Sequence, residues 1–137
     1  MIDQDLKSEE HQKLLNSLAN ALESEGITIT HIDMDETPDL FDEKFKKLPK
    51  PKERDGQTPD LEGMKGALRH IGVVKIKIKG DSNIDSQLRS FTNREMNGKE
   101  IPLHLAVPKE LKKELENKLY KMELYNKYKK GIIRIWA

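Results

Sequence analysis

The residues of this chain that could carry chemistry lie in two stretches about a dozen residues apart. The first, 58–63, reads Thr-Pro-Asp-Leu-Glu-Gly and places Asp60 directly after a proline, at a turn-prone strand entrance. The second, 70–81, is rich in β-branched residues and carries lysine at alternate positions: Lys75, Lys77 and Lys79. A carboxylate can hold a hard cation such as Mg²⁺, and a lysine can steady the charge that develops on a phosphate under attack. These stretches are therefore candidates for a phosphate-directed site.

Composition narrows the protein class. A chain of 137 residues is long enough for one domain with one hydrophobic core. Its composition, 35% hydrophobic and 36% charged residues, is still that of a globular protein. The absence of cysteine excludes disulfides and thiolate sites. No apolar run approaches the ~20 residues that span a bilayer, and residues 1–5 are too acidic to open a signal peptide. We expect a soluble, cytoplasmic protein.

The net charge of +1 conceals an asymmetry along the chain. Residues 1–43 hold 12 acidic and 2 basic residues, whereas residues 44–137 hold 23 basic and 12 acidic residues. A basic body favours a nucleic-acid partner. Two alternatives are that the acidic end packs on the basic body, or that it packs on a second copy of the chain.

Hydrophobic periodicity predicts alternating helices and strands. Ser8 is a helix N-cap and Gly26 a helix stop, with leucines at helical spacing between them. Alternation predicts strands over 27–32, 71–79, 101–107 and 132–136, and a short strand plus turn over 61–69. Further helices are expected from Ser82 to Gly98 and from Pro108 to Asn126. Residues 34–57 form a long charged loop, a length typical of functional or mobile segments.

The predicted fold class is α/β (α+β), with a mixed sheet flanked by helices in the order αβββαβαβ. This order resembles the restriction-endonuclease-like fold, whose core runs helix, three strands, helix, strand. On this interpretation residues 1–137 form a single domain of that kind.

The motif residues resemble those of the PD-(D/E)XK nuclease superfamily, which holds Mg²⁺ with an aspartate after a proline and with an acid two positions before a lysine. Asp60 matches the first half. The lysine could be Lys75, Lys77 or Lys79, and the acid position would then be Val73, Lys75 or Lys77, none of which is a carboxylate. We favour Lys75, because 70–75 looks like the family's Gly-Glu-x-Lys strand with Val73 replacing glutamate.

Two further features bear on the resemblance. Gln87 and Phe91 are similar to the Gln-x-x-x-Tyr motif of the RecB-like branch, which implies a catalytic role for Gln87 beside Asp60 and Lys75. The resemblance also implies Mg²⁺, held by Asp60 with Glu62 as a weak second ligand. Other carboxylates that could reach the site are Glu9, Glu10, Asp33 and Asp35. One carboxylate beside three lysines would repel a cation, so the site is predicted to be degenerate.

The predicted function is a nuclease-fold protein that binds nucleic acid or acts within a complex. The candidate nucleic-acid contacts are Lys77, Lys79, Lys44, Lys46, Lys47, Lys50, Lys52 and Arg54. One alternative is a non-catalytic homodimer joined through strand edges or opposite charges. A second is an active Mg²⁺-dependent nuclease with a relocated carboxylate. Simpler readings also stand: Asp60 can serve its own turn, and alternating lysines can form a solvated strand face.

Overall fold

The computed structural model describes residues 8–35, 37–54 and 56–137. The acidic residues 1–5, on which the signal-peptide argument depends, lie outside the described part. The helices are α1 (Glu9–Ser24), α2 (Ile84–Thr92), α3 (Lys112–Lys121) and α4 (Tyr125–Lys129). The strands are β1 (Thr28–Ile32), β2 (Leu61–Lys65), β3 (Leu68–Val74), β4 (Glu95–Met96), β5 (Lys99–Glu100), β6 (Leu103–Ala106) and β7 (Ile133–Trp136). Within this described part, no helix is long and apolar enough to cross a membrane.

Five strands form one mixed sheet in the order β1-β2-β3-β6-β7. The pairs β1–β2 and β2–β3 are antiparallel, whereas the pairs β3–β6 and β6–β7 are parallel. Strands β4 and β5 form a separate two-stranded hairpin. The prediction of a mixed sheet with helices packed against it is confirmed.

Helices cover both faces of the sheet. The leucines of α1 pack on one face with β1 and the 37–54 segment, while α2 and α3 pack on the other face. Parallel strands covered on both sides are buried throughout, and β6 is buried at all four residues. Gly72 lets α1 come close to β3, because a Cβ there would lie 2.7 Å from Leu61 and 3.0 Å from Leu18.

The N-terminus of α1 is fixed as predicted. The Ser8 hydroxyl accepts a hydrogen bond from the His11 backbone N–H at 3.1 Å, and Glu9 and Glu10 occupy the first turn, where the helix dipole favours acids. Gly26 follows the helix with φ of 88°, a conformation that suits glycine. The capped first turn sets the position of His11.

The prediction that one strand extends over 71–79 is wrong beyond Val74. Strand β3 runs parallel to β6, and the pairing ends where Val74 faces Ala106 and the Lys75 N–H donates to the Ala106 carbonyl. Beyond Ala106, β6 offers no further residues for pairing, because Pro108 starts the next helical turn. The three lysines therefore lie on an irregular segment that leads to α2 and do not share a strand face.

Two helix boundaries also differ from the prediction. Helix α2 ends at Thr92, and Asn97 and Gly98, with φ of 54° and 79°, form the turn of the β4–β5 hairpin. The Asn-Gly pair is a hairpin signal, which the helical interpretation of 82–98 overlooked. The helix expected to reach Asn126 is broken at Glu123, whose φ of 63° separates α3 from α4.

The loop after β1 folds against α1. It contains two short 3₁₀ turns, Pro38–Leu40 and Glu43–Phe45. Phe41 and Phe45 are buried in the same core as the α1 leucines. These two rings therefore hold the loop to the domain and are closed to a ligand.

Candidate functional site

A cleft of about 170 Å³ opens at the carboxyl end of β3, between α1 and α2. Four predicted motif residues line it: Asp60, Val73, Lys75 and Gln87. The others are His11, Thr58, Val74, Ile76, Lys77 and Asp81. Residues scattered over 11–87 thus meet because β2 begins, β3 ends and α2 starts at one corner of the sheet.

Asp60 joins the start of β2 to the end of β3. Its Oδ2 accepts the backbone N–H of Val74 at 2.8 Å, and its own N–H donates to the Gly72 carbonyl. The side chain is almost fully buried, at 4% exposure. A buried carboxylate needs such donors to offset its lost hydration, so Asp60 serves the fold as well as the cleft.

His11 from α1 lies against the same carboxylate, with Nε2 3.4 Å from Asp60 Oδ2. The amide of Gln12 donates to the Asp33 carbonyl and to Thr37 Oγ1, so its Oε1 faces His11 Nδ1 at 2.8 Å. Nδ1 therefore donates to Gln12, and Nε2 faces Asp60. Sequence reasoning missed His11, because the contact depends on how α1 packs on the sheet and has no spacing signature.

Lys75 is paired within the cleft. Its ammonium donates to Asp81 Oδ2 at 2.9 Å, and the two side chains are only 14% and 15% exposed. Burial acts to raise the pKa of Asp81, but the hydrogen bonds from Lys75 and from the Asn83 N–H outweigh it and hold the pKa below its usual value. Asp81 is the second carboxylate of the cleft. The sequence offered a signal for it, an aspartate after Gly80 just before a helix.

The donor set does not fit Mg²⁺. A hard divalent ion needs several oxygen ligands with room around them. In this cleft Val73 supplies none, Asp60 already binds an N–H and faces an imidazole, and Asp81 binds an ammonium. Across 8–35, 37–54 and 56–137, no three histidine or acidic side chains converge as a metal group.

The other carboxylates considered for metal binding are not among the residues that line the cleft, although the Asp33 N–H donates to the Asp60 carbonyl. Glu62 is buried, with Oε1 3.6 Å from the Nε of Arg69. Glu9 and Glu10 border a different surface depression beside Pro108. The Asp33 carboxylate accepts the backbone N–H of Asp35. A relocated ligand from this set is not brought to the cleft.

The predicted nucleic-acid lysines divide into two groups. Lys77 lines the cleft and is exposed, and the backbone N–H of Lys79 donates to Glu114. In the loop, Lys44, Lys46 and Lys50 face Glu23, Glu43 and Asp33 at 2.8, 3.1 and 3.9 Å. Exposed pairs of this kind are weak and can exchange for phosphate contacts. Lys77 is the predicted cation best placed for a ligand in the cleft.

Gln87 brings an amide into the cleft from the first turns of α2. Its Oε1 is buried and has no hydrogen-bond partner among the described residues. Buried acceptors are usually satisfied, so this atom marks a place where a ligand or water could donate. Phe91, one turn further on, points into the core under β3 and β6, which separates the two halves of the expected Gln-x-x-x-aromatic motif.

No protein-family model matches the chain, and no match was found among curated proteins or solved structures. The chemistry of the cleft therefore has to be argued from its geometry. The exposed Lys77 ammonium can bind an anionic oxygen, and the unpaired Gln87 Oε1 can accept from a donor on the same ligand. With both carboxylates engaged, the cleft suits recognition of such a ligand better than activation of water.

Proposed function

We propose that this chain is a restriction-endonuclease-like domain whose metal site has degenerated and which binds the backbone of a nucleic acid. One observation carries the proposal: Asp60, Lys75 and Gln87 line a single cleft with Val73 at the position where the resemblance expects an acid. A chance occurrence of Pro-Asp and scattered lysines would not require these residues to meet.

The architecture supports the proposal. Helix α1 precedes three strands that pair in sequence order, and α2 then crosses over to β6, which lies parallel to β3. This order is compatible with the helix, three strands, helix, strand core of the family, and in that respect it supports the proposal. Asp60 stands at the entrance to the second strand and Lys75 directly after the third.

The lost carboxylate accounts for the expected lack of cleavage. With valine at position 73, the two carboxylates of the cleft are Asp60 and Asp81, and both are engaged by protein donors. The cleft is therefore poorly suited to hold a metal that could polarise a phosphate or lower the pKa of a water. Lys75, in the family a group that steadies charge, is here held by Asp81. The cleft retains positive charge at its rim in the exposed ammonium of Lys77.

Binding can be tested with a fluorescein-labelled oligonucleotide, whose anisotropy reports complex formation. The protein is titrated in EDTA at several salt concentrations, as wild type and as Lys77→Glu. Lys65→Glu is the matched control, because Lys65 is an exposed lysine on the β2–β3 turn, at the opposite end of β3 from the cleft. We expect wild-type binding without metal, and a weaker complex for Lys77→Glu whose salt slope is smaller by about 1.

A wild-type protein that binds neither DNA nor RNA at low salt would overturn the proposal. Equal losses for Lys77→Glu and Lys65→Glu would mean that any attraction is a general charge effect and that the cleft is not the site.

A further inference from the structure

Three tyrosines form a contiguous aromatic surface at the junction of α3 and α4. Tyr120 is 71% exposed and Tyr125 36% exposed, and they are the exposed large hydrophobic side chains of the described residues. Tyr125 stands edge-to-face with both Tyr120 and Tyr128, at centroid distances of 5.8 and 5.6 Å. We call these three residues the tyrosine platform.

The platform is held in place by its backbone and by one side-chain hydrogen bond. Glu123 turns the chain between the two helices, and the Leu124 N–H donates to the Leu119 carbonyl at 2.8 Å. The Tyr128 hydroxyl donates to Glu116 at 2.6 Å. A rigid aromatic surface loses little conformational freedom when a ligand stacks on it.

A groove of about 670 Å³ adjoins the cleft and runs along α3, and none of the three tyrosines lines it. Asp81 borders both the groove and the cleft, and Lys121, the neighbour of Tyr120, borders the far end. The groove also carries Lys79, Lys113 and Lys118. Its carboxylates are Asp81, Glu110 and Glu114, of which Asp81 binds Lys75 and Glu114 accepts the Lys79 N–H, while Lys118 binds Asp85. The helices beside the groove are basic, because residues 112–130 hold seven lysines and three glutamates.

We infer that the tyrosine platform stacks the bases of a single-stranded nucleic acid whose backbone follows this groove. The inference rests on the proposed function for the strand's path through the cleft, and on the tyrosines and groove lysines for its chemistry. Aromatic side chains beside a cationic track stack unpaired bases without regard to sequence. A duplex keeps its base faces stacked inside the helix, so it offers nothing to these rings.

The surroundings of the platform argue against a protein partner. Lysine is depleted from the centres of protein–protein interfaces. Here Lys121 and Lys129 are exposed immediately beside Tyr120 and one helical turn from Tyr125. Glu116 and Glu123 also lie near the rings. The surface is therefore mixed, with lysine in excess, and this excess complements a phosphate chain.

The test compares two variant pairs on three ligands. Tyr120→Ala/Tyr125→Ala removes both rings, and Tyr120→Phe/Tyr125→Phe keeps them. Anisotropy is measured with labelled single-stranded DNA, single-stranded RNA and duplex DNA of the same length. Circular dichroism confirms that each variant is folded. We expect the alanine pair to lose about fivefold or more in affinity for a single strand, and the phenylalanine pair to stay close to wild type. Duplex binding should change little in either.

The outcomes separate this inference from the proposed function. If the alanine pair binds single strands as wild type does, or if the phenylalanine pair loses as much as the alanine pair, stacking on the platform is overturned, and a Lys77→Glu loss would still uphold the cleft. If the tyrosine variants lose affinity while Lys77→Glu does not, the platform stands and the cleft proposal falls. Equal loss on duplex and single strand would also overturn the platform.

Discussion

At the scale of single residues, Asp60 is a buried carboxylate that the fold itself holds in place. Its carboxylate accepts the Val74 N–H and faces His11. The Val74 N–H stabilises the buried carboxylate without a cation. His11, with its hydrogen on Nδ1, presents the lone pair of Nε2 and donates nothing to Asp60. Under the proposed function, Val73 is the position at which a second metal ligand can be introduced as a test.

Val73→Glu should restore divalent-ion binding. The new carboxylate would enter the same cleft as Asp60 and give a metal two oxygen donors. We expect measurable heat on titration with Mn²⁺, together with a loss of about 1–3 kcal/mol of stability, because position 73 is buried. Val73→Gln is the isosteric control and should bind none. A folded Val73→Glu protein that gives no more heat than Val73→Gln would contradict the assignment of Lys75 as the motif lysine.

A second residue-scale feature is a buried hydrogen-bonded chain of two histidines and a tryptophan. The Trp136 indole donates to His104 Nδ1 at 3.1 Å, so His104 carries its hydrogen on Nε2 and donates it to His70 Nδ1 at 2.9 Å. Burial, with the charges of His70 and Arg134, lowers the pKa of His104 to about 3. Both rings are therefore neutral in the folded protein at neutral pH.

This chain predicts a loss of stability in mild acid. Below the unfolded histidine pKa of about 6.5, the unfolded state takes up a proton that folded His104 refuses, so stability present at pH 7 falls as pH drops towards 3. We expect a loss of about 2 kcal/mol from His104 at pH 5, measured by urea unfolding at both pH values. His104→Leu should be less stable at pH 7, since it leaves the Trp136 N–H unpaired. Its free energy of unfolding should, however, fall less between pH 7 and pH 5 than that of the wild type. An unchanged drop would refute the role of His104.

At the scale of elements, periodicity carried much of the fold. Three local signals each led to the correct type of element: the leucine stripe of α1, the alternation in β6 and β7, and the glycine of the β2–β3 turn. The errors occurred where a partner decides. Strand β3 stops because β6 stops, which no property of 75–79 announces. In the site, Asp60, Lys75 and Gln87 followed from the motif, whereas His11 and Asp81 depend on packing and on a salt bridge.

The break between α3 and α4 gives an element-scale prediction. Glu123 adopts a left-handed φ of 63°, which disfavours side chains with a Cβ. Glu123→Gly should raise the free energy of unfolding by up to about 1 kcal/mol. Asn126→Gly, an exposed position inside α4, should instead lower it by about 0.5–1 kcal/mol. Chemical denaturation measures the free energy of unfolding of both variants. An equal decrease in the two would show that the turn at Glu123 is not strained.

At the scale of the whole molecule, the charge asymmetry is partly satisfied inside one chain. Glu25 at the end of α1 binds Arg134 of β7 through two hydrogen bonds, and Glu23 binds Lys44. The acidic end thus lies against the basic body, as one of the sequence interpretations expected. A homodimer through the edges β1 and β7 stays a prediction.

The central claim is a nuclease-like cleft that binds nucleic acid without cutting it, and one paired gel measurement tests it most directly. An end-labelled single-stranded oligonucleotide is incubated with the protein and Mn²⁺, and half of the sample is run on a native gel and half on a denaturing gel. We predict a retarded band on the native gel and a full-length strand on the denaturing gel. Metal-dependent fragments that disappear with Asp60→Ala, or a strand that is never retarded, would contradict the account.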